Sequence, residues 1–275
     1  MLSVDLTISR FRRDIVIAFL LRAAMLIAAM ACLIGAPVFG MHQNGALLLA
    51  LIGGAWILLS YRSMQGTRIA AQSPSLIAAG QYEQAEHHID TALRSFSLFS
   101  RAKLLSMHHL ALLRHAQRRW REAALLCRAL LSQRLGGFRG LSKNTLLLLA
   151  DSELQMGELT GAYEAMNGLF GYRLNLNESL TLQLLQLDYG SRIGAWDAML
   201  QGLSLKVQLS ELMPTLNAAR SQALLALAAL KSNQAELAQW LRRRAELLVD
   251  PQQIAADRPI VAELFAQNPD QRGNR

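Results

Sequence analysis

Residues 78–93 read AAGQYEQAEHHIDTAL. Gly80 is followed by Tyr82, Ala85, Ile89 and Ala92. Steps of three and four residues put the apolar side chains on one face of a helix that starts just after a glycine. A helix standing alone would direct attention to an active site. One copy of a repeated unit would direct it to a binding surface.

The pattern recurs. RRWREAALL surrounds Trp120, MGELTGAYEAM surrounds Leu159, IGAWDAML surrounds Trp196 and SNQAELAQWL surrounds Ala235. The equivalent positions Tyr82, Trp120, Leu159, Trp196 and Ala235 are separated by 38, 39, 37 and 39 residues. A near-constant period of that length predicts a helical solenoid rather than a single globular core. The turn position is Gly80, Gly157 and Gly194 in three units, where a left-handed backbone costs little. Seven residues before the turn, Ala111, Ala150 and Ala226 let two antiparallel helices come close. Ala85, Ala123, Ala162 and Ala238 recur one turn into the second helix, and the fourth unit has Met199 instead.

At these residues the chain resembles the tetratricopeptide repeat family. That family pairs helices with small residues at the crossing, Gly-x-aromatic at the turn and Ala-x3-apolar-x2-Ala on the second helix. The first unit matches best, with Gly80, Tyr82, Ala85, Ile89 and Ala92. The third offers Gly157, Leu159, Ala162, Met166 and Leu169. The second has Arg118 in place of glycine, the fourth has Met199 and Lys206 at alanine positions, and the fifth has Ala235 and Arg242. The period exceeds the family's usual length of about 34, so longer connections are expected. The resemblance covers roughly residues 67–250. It implies an all-α array of about five helix pairs whose concave face binds a protein segment. A generic helical solenoid of related geometry is the alternative. The last pair needs a cap, and DRPIVAELFA at 257–266, with Pro259 near a helix start, fits one.

The residues before the repeats differ in kind. No Asp, Glu, Lys or Arg occurs between Arg22 and Arg62, an uncharged run of 39 residues. One membrane span takes about 20 residues, so the run reads as two spans. Pro37, Gly40 and HQNG at 42–45 mark the turn, with helices at about 15–39 and 46–62. Arg22 lies two turns inside the first helix, and its stem can carry the guanidinium to the headgroups. Arg10, Arg12 and Arg13 precede the hairpin, Arg62 and Arg68 follow it, and the turn has no basic residue. The positive-inside rule then places both termini and the repeats in the cytoplasm, on a bacterial-type inner membrane. A cleaved signal peptide would share the basic start, but the second apolar segment argues against it. The chain thus divides into an anchor at 1–66, repeats at 67–250, and a capping helix and tail at 251–275.

No phosphate-binding glycine loop, nucleophile elbow, HExxH or CxxC appears. Cys32 and Cys127 form neither a disulfide framework nor a metal-ligand spacing. Five of the six histidines, His87, His88, His108, His109 and His115, fall within 29 residues. Neighbouring histidines on a helix point about 100° apart, so each pair offers at most one ligand to a site. The cluster reads as solvated or partly packed side chains, with a metal or pH-sensing role as the alternative. No cofactor is implied, and the expected role is non-enzymatic.

Charge is more informative. Between Arg94 and Lys143 lie eleven Lys or Arg and one acid, Glu122. From residue 144 onward there are eleven bases and fourteen acids. A basic block just after a membrane anchor suits anionic headgroups or an acidic protein partner. Nucleic acid rests on charge alone, without a reading module. Partner contacts are expected at Arg101, His108, Arg114, Arg118, Arg119, Arg121 and Asn144. The expectation is a membrane-anchored scaffold that assembles or organises a membrane complex. The alternative is an integral accessory subunit that packs through its hairpin, with Gly53 and Gly54 offering a small-residue face.

Overall fold

Good helix formers dominate the chain and valine is scarce, and the local structure follows. The computed structural model describes residues 3–38, 42–95, 97, 100–133 and 139–266. Every regular element among them is helical, with no strand. The chain forms two units, Met1–Ser152 and Glu153–Arg275.

The first unit begins with two long helices, α1 (Val4–Val38) and α2 (His42–Ala71). Both are long and apolar enough to cross a membrane, and only 6 % of the residues in each apolar window are buried. A core helix would hide that face. Here Phe19, Leu20, Leu26, Ile27, Met30 and Leu33 of α1 and Leu47, Leu51, Ile57 and Leu58 of α2 point outward. The helices run beyond the expected spans. HQNG at 42–45 opens α2 instead of forming the turn, because nothing in it stops a helix from starting there. Residues 39–41, which include Gly40, lie outside the described residues. Arg22 folds back along its own helix, its Nε donating to the Ala18 carbonyl at 3.2 Å.

The extra length has a packing reason. Val4, Thr7, Phe11 and Ala18 form a stripe at helical spacing, each buried. Helix α1 packs against α2, and also against α5 (Ser100–Ala116) and α6 (Trp120–Leu131), which follow α3 (Ser73–Ala78) and α4 (Tyr82–Arg94). Lys103 of α5, almost wholly buried, donates to Asp14 Oδ2 at 3.0 Å and to the Leu93 carbonyl. The far end of α2 is tied down by Ser63 to Ser97 at 2.7 Å and by His109 Nδ1 to the Ala70 carbonyl at 2.8 Å. Helix α7 (Arg139–Met156), which begins in the first unit and ends in the second, takes in Arg139 and Gly140 of the expected GGFRG connection. Its other three residues lie outside the described ones.

The second unit contains α8 (Leu159–Asn167), α9 (Leu176–Arg192), α10 (Trp196–Leu200), α11 (Leu203–Glu211), α12 (Thr215–Lys231) and α13 (Ala235–Leu248). Its core centres on α12, where every residue from Ser221 to Ala229 is buried. A helix apolar on nearly all sides must be surrounded, and α9, α10, α11 and α13 pack around it. Asn175 caps α9 in a reciprocal capping box with Glu178. Next come α14 (Pro251–Asp257), a 3-10 turn at Pro259–Val261 and α15 (Ala262–Ala266). Ile254, Val261 and Leu264 of this segment enter the same core. Arg258, largely buried, reaches Asp188 Oδ2 of α9 at 3.2 Å, and Lys231 of α12 holds Glu263 at 2.7 and 2.9 Å.

Five helix–turn–helix junctions recur with the same backbone. Gly80, Arg118, Gly157, Gly194 and Asn233 have φ of 74°, 60°, 80°, 70° and 58°. After each, one N–H closes a bond to the carbonyl five residues earlier: Gln81 to Leu76, Arg119 to Arg114, Glu158 to Glu153, Ala195 to Gly190 and Gln234 to Ala229. These bonds measure 2.8–2.9 Å and satisfy carbonyls that the ending helix would leave open. The small residues behind the turns, Ala111, Ala150 and Ala226, are fully buried, as are Ala85, Ala123 and Ala162 in front.

The fourth junction departs where the sequence departs. Its second helix stops at Leu200, and Gly202, with φ 64°, starts α11. Lys206 therefore lies on a separate helix. Its ammonium donates to the carbonyls of Met199 at 2.8 Å and Ala198 at 3.2 Å, close to the end of α10. A cation at a helix C-terminus offsets both the open carbonyls and the negative end of the dipole.

Candidate functional site

The basic block occupies α4, α5, α6 and the start of α7, and the structure sorts its cations into two groups. Arg114 is fully buried. A guanidinium out of water requires partners, and it has them. It lies 3.0 Å from Glu86 Oε1 of α4, 3.3 Å from Glu122 Oε2 of α6 and 2.8 Å from Gln117 Oε1. Arg114 therefore joins three helices from inside rather than presenting a charge to the surface. Glu122 also holds Arg119. The one acid of the basic block thus stabilises two of its arginines.

Lys103 is buried as well, whereas Arg94, Arg118, Arg121 and Arg128 face outward. Arg118 sits on the left-handed turn, Arg121 lies in the first turn of α6, and both are exposed. Arg94 is exposed beside Asp90, 2.8 Å away. Asn144 is exposed on α7. The side chain of Arg101 lies outside the described residues. His108 is mostly enclosed, with Nδ1 3.1 Å from Thr145 Oγ1. Burial, aided by the neighbouring His109, pushes its pKa down to about 4. At neutral pH it is therefore an uncharged group and offers no cation to a partner.

His109 and His115 are engaged separately, and His87 and His88 lie side by side with ring centres 6.4 Å apart. His109 is buried on the Ala70 carbonyl, and desolvation lowers its pKa as well. His115 sits 3.1 Å from Asp151 and edge-on to Trp120, with ring centres 4.7 Å apart. Among the described residues no three His, Cys, Asp or Glu side chains gather as a metal site.

Gly53 and Gly54 face outward from α2, and a Cβ at either would have open space around it. A further helix could approach closely there.

A feature of the second unit is not legible in the repeat pattern. A groove of about 410 Å³ is lined by Met213, Ala218, Gln222, Leu247 and Leu248, with the Arg244–Glu211 ion pair at its rim. Leu247 is 86 % exposed, whereas Gln222 is buried, its Oε1 without a hydrogen-bond partner among the described residues. A glutamine within the apolar run of α12 was the sequence signal for it.

No family model, curated protein or solved structure matches the chain. What stands is an all-helical chain among the described residues, with two helices long and apolar enough to cross a membrane; no tetratricopeptide signature is detected.

Proposed function

We propose that the protein is a membrane-anchored, tetratricopeptide-like scaffold that binds a partner protein and helps to assemble or organise a membrane complex. The observation that carries this reading is the fivefold recurrence of one left-handed turn with one hydrogen bond, next to two helices whose apolar side chains face outward. Repeated helix pairs build extended surfaces rather than catalytic pockets. The outward apolar helices supply the anchor, with the repeats and both termini on the cytoplasmic side of an inner membrane. Arg118 and Arg121, with Arg119 between them, offer a cationic contact to an acidic partner. The groove at Leu247 and Leu248 would take an aliphatic side chain, with a donor for Gln222.

The test is crosslinking of the full chain in native membranes, followed by identification of what is retained with it. Reversal of Arg118, Arg119 and Arg121 to Glu is the comparison. A stoichiometric protein that disappears with the reversal supports the scaffold. Absence of any stoichiometric protein in the unaltered chain defeats it.

The open space at Gly53 and Gly54 favours a second reading, an accessory subunit held through its hairpin. Gly53→Leu with Gly54→Leu would then abolish complex membership while the anchor still inserts.

A further inference from the structure

A cleft of about 210 Å³ lies between the start of α1 and the α4–α5 pair. Phe11 and Leu93 form apolar wall, and Arg10, Arg94 and Lys103 bring positive charge to it. Two of these cations are balanced. Lys103 holds Asp14 at 3.0 Å, and Arg94 holds Asp90 at 2.8 Å. Arg10 is exposed and has no carboxylate partner among the described residues. Asp90 lines the cleft beside Arg94, so Arg10 is left as its one uncompensated guanidinium among the described residues.

The depth of Arg10 identifies the ligand. Leu6 is exposed one turn before Arg10; beyond the charged residues Arg10, Arg12, Arg13 and Asp14, the outward apolar side chains of α1 run from Val16 to Ile34. At a rise of about 1.5 Å per residue they cover about 27 Å, close to the hydrocarbon thickness of a bilayer. Arg10 stands six residues before Val16, about 9 Å further along the same helix. A flexible side chain at that depth reaches the level of lipid phosphates, where a protein segment or a free anion would compete with the bilayer itself.

We propose that this cleft binds the phosphate of an anionic phospholipid, with Arg10 as its cation. The proposal rests on the membrane reading above. It would make the junction between anchor and repeats a lipid-selective site rather than a general positive surface.

The test uses the full chain in non-ionic detergent, titrated separately with phosphatidylglycerol and phosphatidylcholine, with bound lipid counted by native mass spectrometry. The unaltered chain is expected to retain phosphatidylglycerol at concentrations where phosphatidylcholine is lost. Arg10→Gln should weaken the first phosphatidylglycerol by about fivefold, the contribution of one basic residue near a membrane surface. Arg10→Lys should keep most of the binding, and Arg243→Gln, in the other unit, should change nothing. Equal retention of both lipids, an equal loss in Arg243→Gln, or displacement by millimolar inorganic phosphate would each overturn the site. Helical circular dichroism identifies a variant that fails to fold, and the Arg10→Lys arm then carries the test. Carbonate extraction separates the two levels: release of the chain from membranes defeats the membrane reading, whereas retention without lipid preference defeats only this site.

Discussion

A Cβ placed on Gly190 would stand 2.9 Å from Met199 Cγ and 3.2 Å from its Sδ. The two residues face each other across the fourth turn. In the other four units the position of Met199 is an alanine, and the position of Gly190 is Leu76, Arg114, Glu153 or Ala229. Volume has been exchanged across the helix crossing: the second helix gained a side chain and the first lost one. Close packing permits such exchanges when the total volume is kept.

Gly190→Ala should therefore destabilise the second unit. Overpacking costs about 1–3 kcal/mol, against which a helix gains about 1 kcal/mol when glycine becomes alanine. The net loss is about 1 kcal/mol, read as a lower thermal midpoint. Adding Met199→Ala should recover much of it. A rise in midpoint for Gly190→Ala alone would mean that Met199 moves freely.

Arg118 holds a backbone conformation that its neighbours in the series assign to glycine or asparagine. A left-handed residue with a side chain costs about 1–2 kcal/mol, partly offset by the extra freedom of glycine in the unfolded chain. Arg118→Gly should therefore stabilise the first unit by about 0.5–1 kcal/mol. Gly157→Ala, at φ 80°, should destabilise by a similar amount. Unfolding midpoints that move together, rather than in opposite directions, would contradict the shared geometry.

Arg114 is structural before it can be anything else. Removing one partner of a buried ion pair costs about 3–5 kcal/mol, and less here because Glu86 and Glu122 keep 21 % and 27 % of their side-chain surface exposed. Arg114→Gln should cost about 2–3 kcal/mol in denaturant unfolding. Any loss of partner binding should track the loss of folded protein. Weaker binding at full stability would instead place Arg114 in the contact.

Stability should fall with acid. The pKa of His108 drops from 6.5 to about 4 on folding, so the unfolded chain binds more protons between those values. Stability is then fully present above about pH 6.5 and is lost as pH falls toward 4, by up to about 3 kcal/mol. Denaturation midpoints at pH 7 and pH 5 check this, with His108→Gln expected to flatten the difference. An unchanged slope in that variant would assign the acid sensitivity to other groups.

Much of this organisation could be read from the chain. The uncharged run between Arg22 and Arg62 marked two apolar helices, because a membrane-length helix needs nothing beyond composition and length. Gly80, Gly157 and Gly194 marked their turns, because a left-handed backbone selects for the residue without a side chain. Asn233 was missed although it does the same work, since asparagine is also common at exposed polar positions where no such conformation is required. The helices extend past the expected spans, at the start of α1 and at both ends of α2, because hydropathy marks an apolar stretch and not where a helix stops. Asp14 of α1 pairs with Lys103 of α5, and no local signal reveals a partner 89 residues away.

The candidate contacts divide along the same line. Where positive charge accumulates is a count of residues and can be read along the chain. Which of those charges are available follows from how the helices pack. Arg114 and Arg118 are four residues apart and look equivalent in a list of cations, yet one is fully buried between Glu86 and Glu122 and the other stands exposed on a turn. The physical reason is that burial and ion pairing depend on side chains brought together from separate helices. Helix type and turn chemistry depend on residues within one turn of each other, so they were written locally and could be read there.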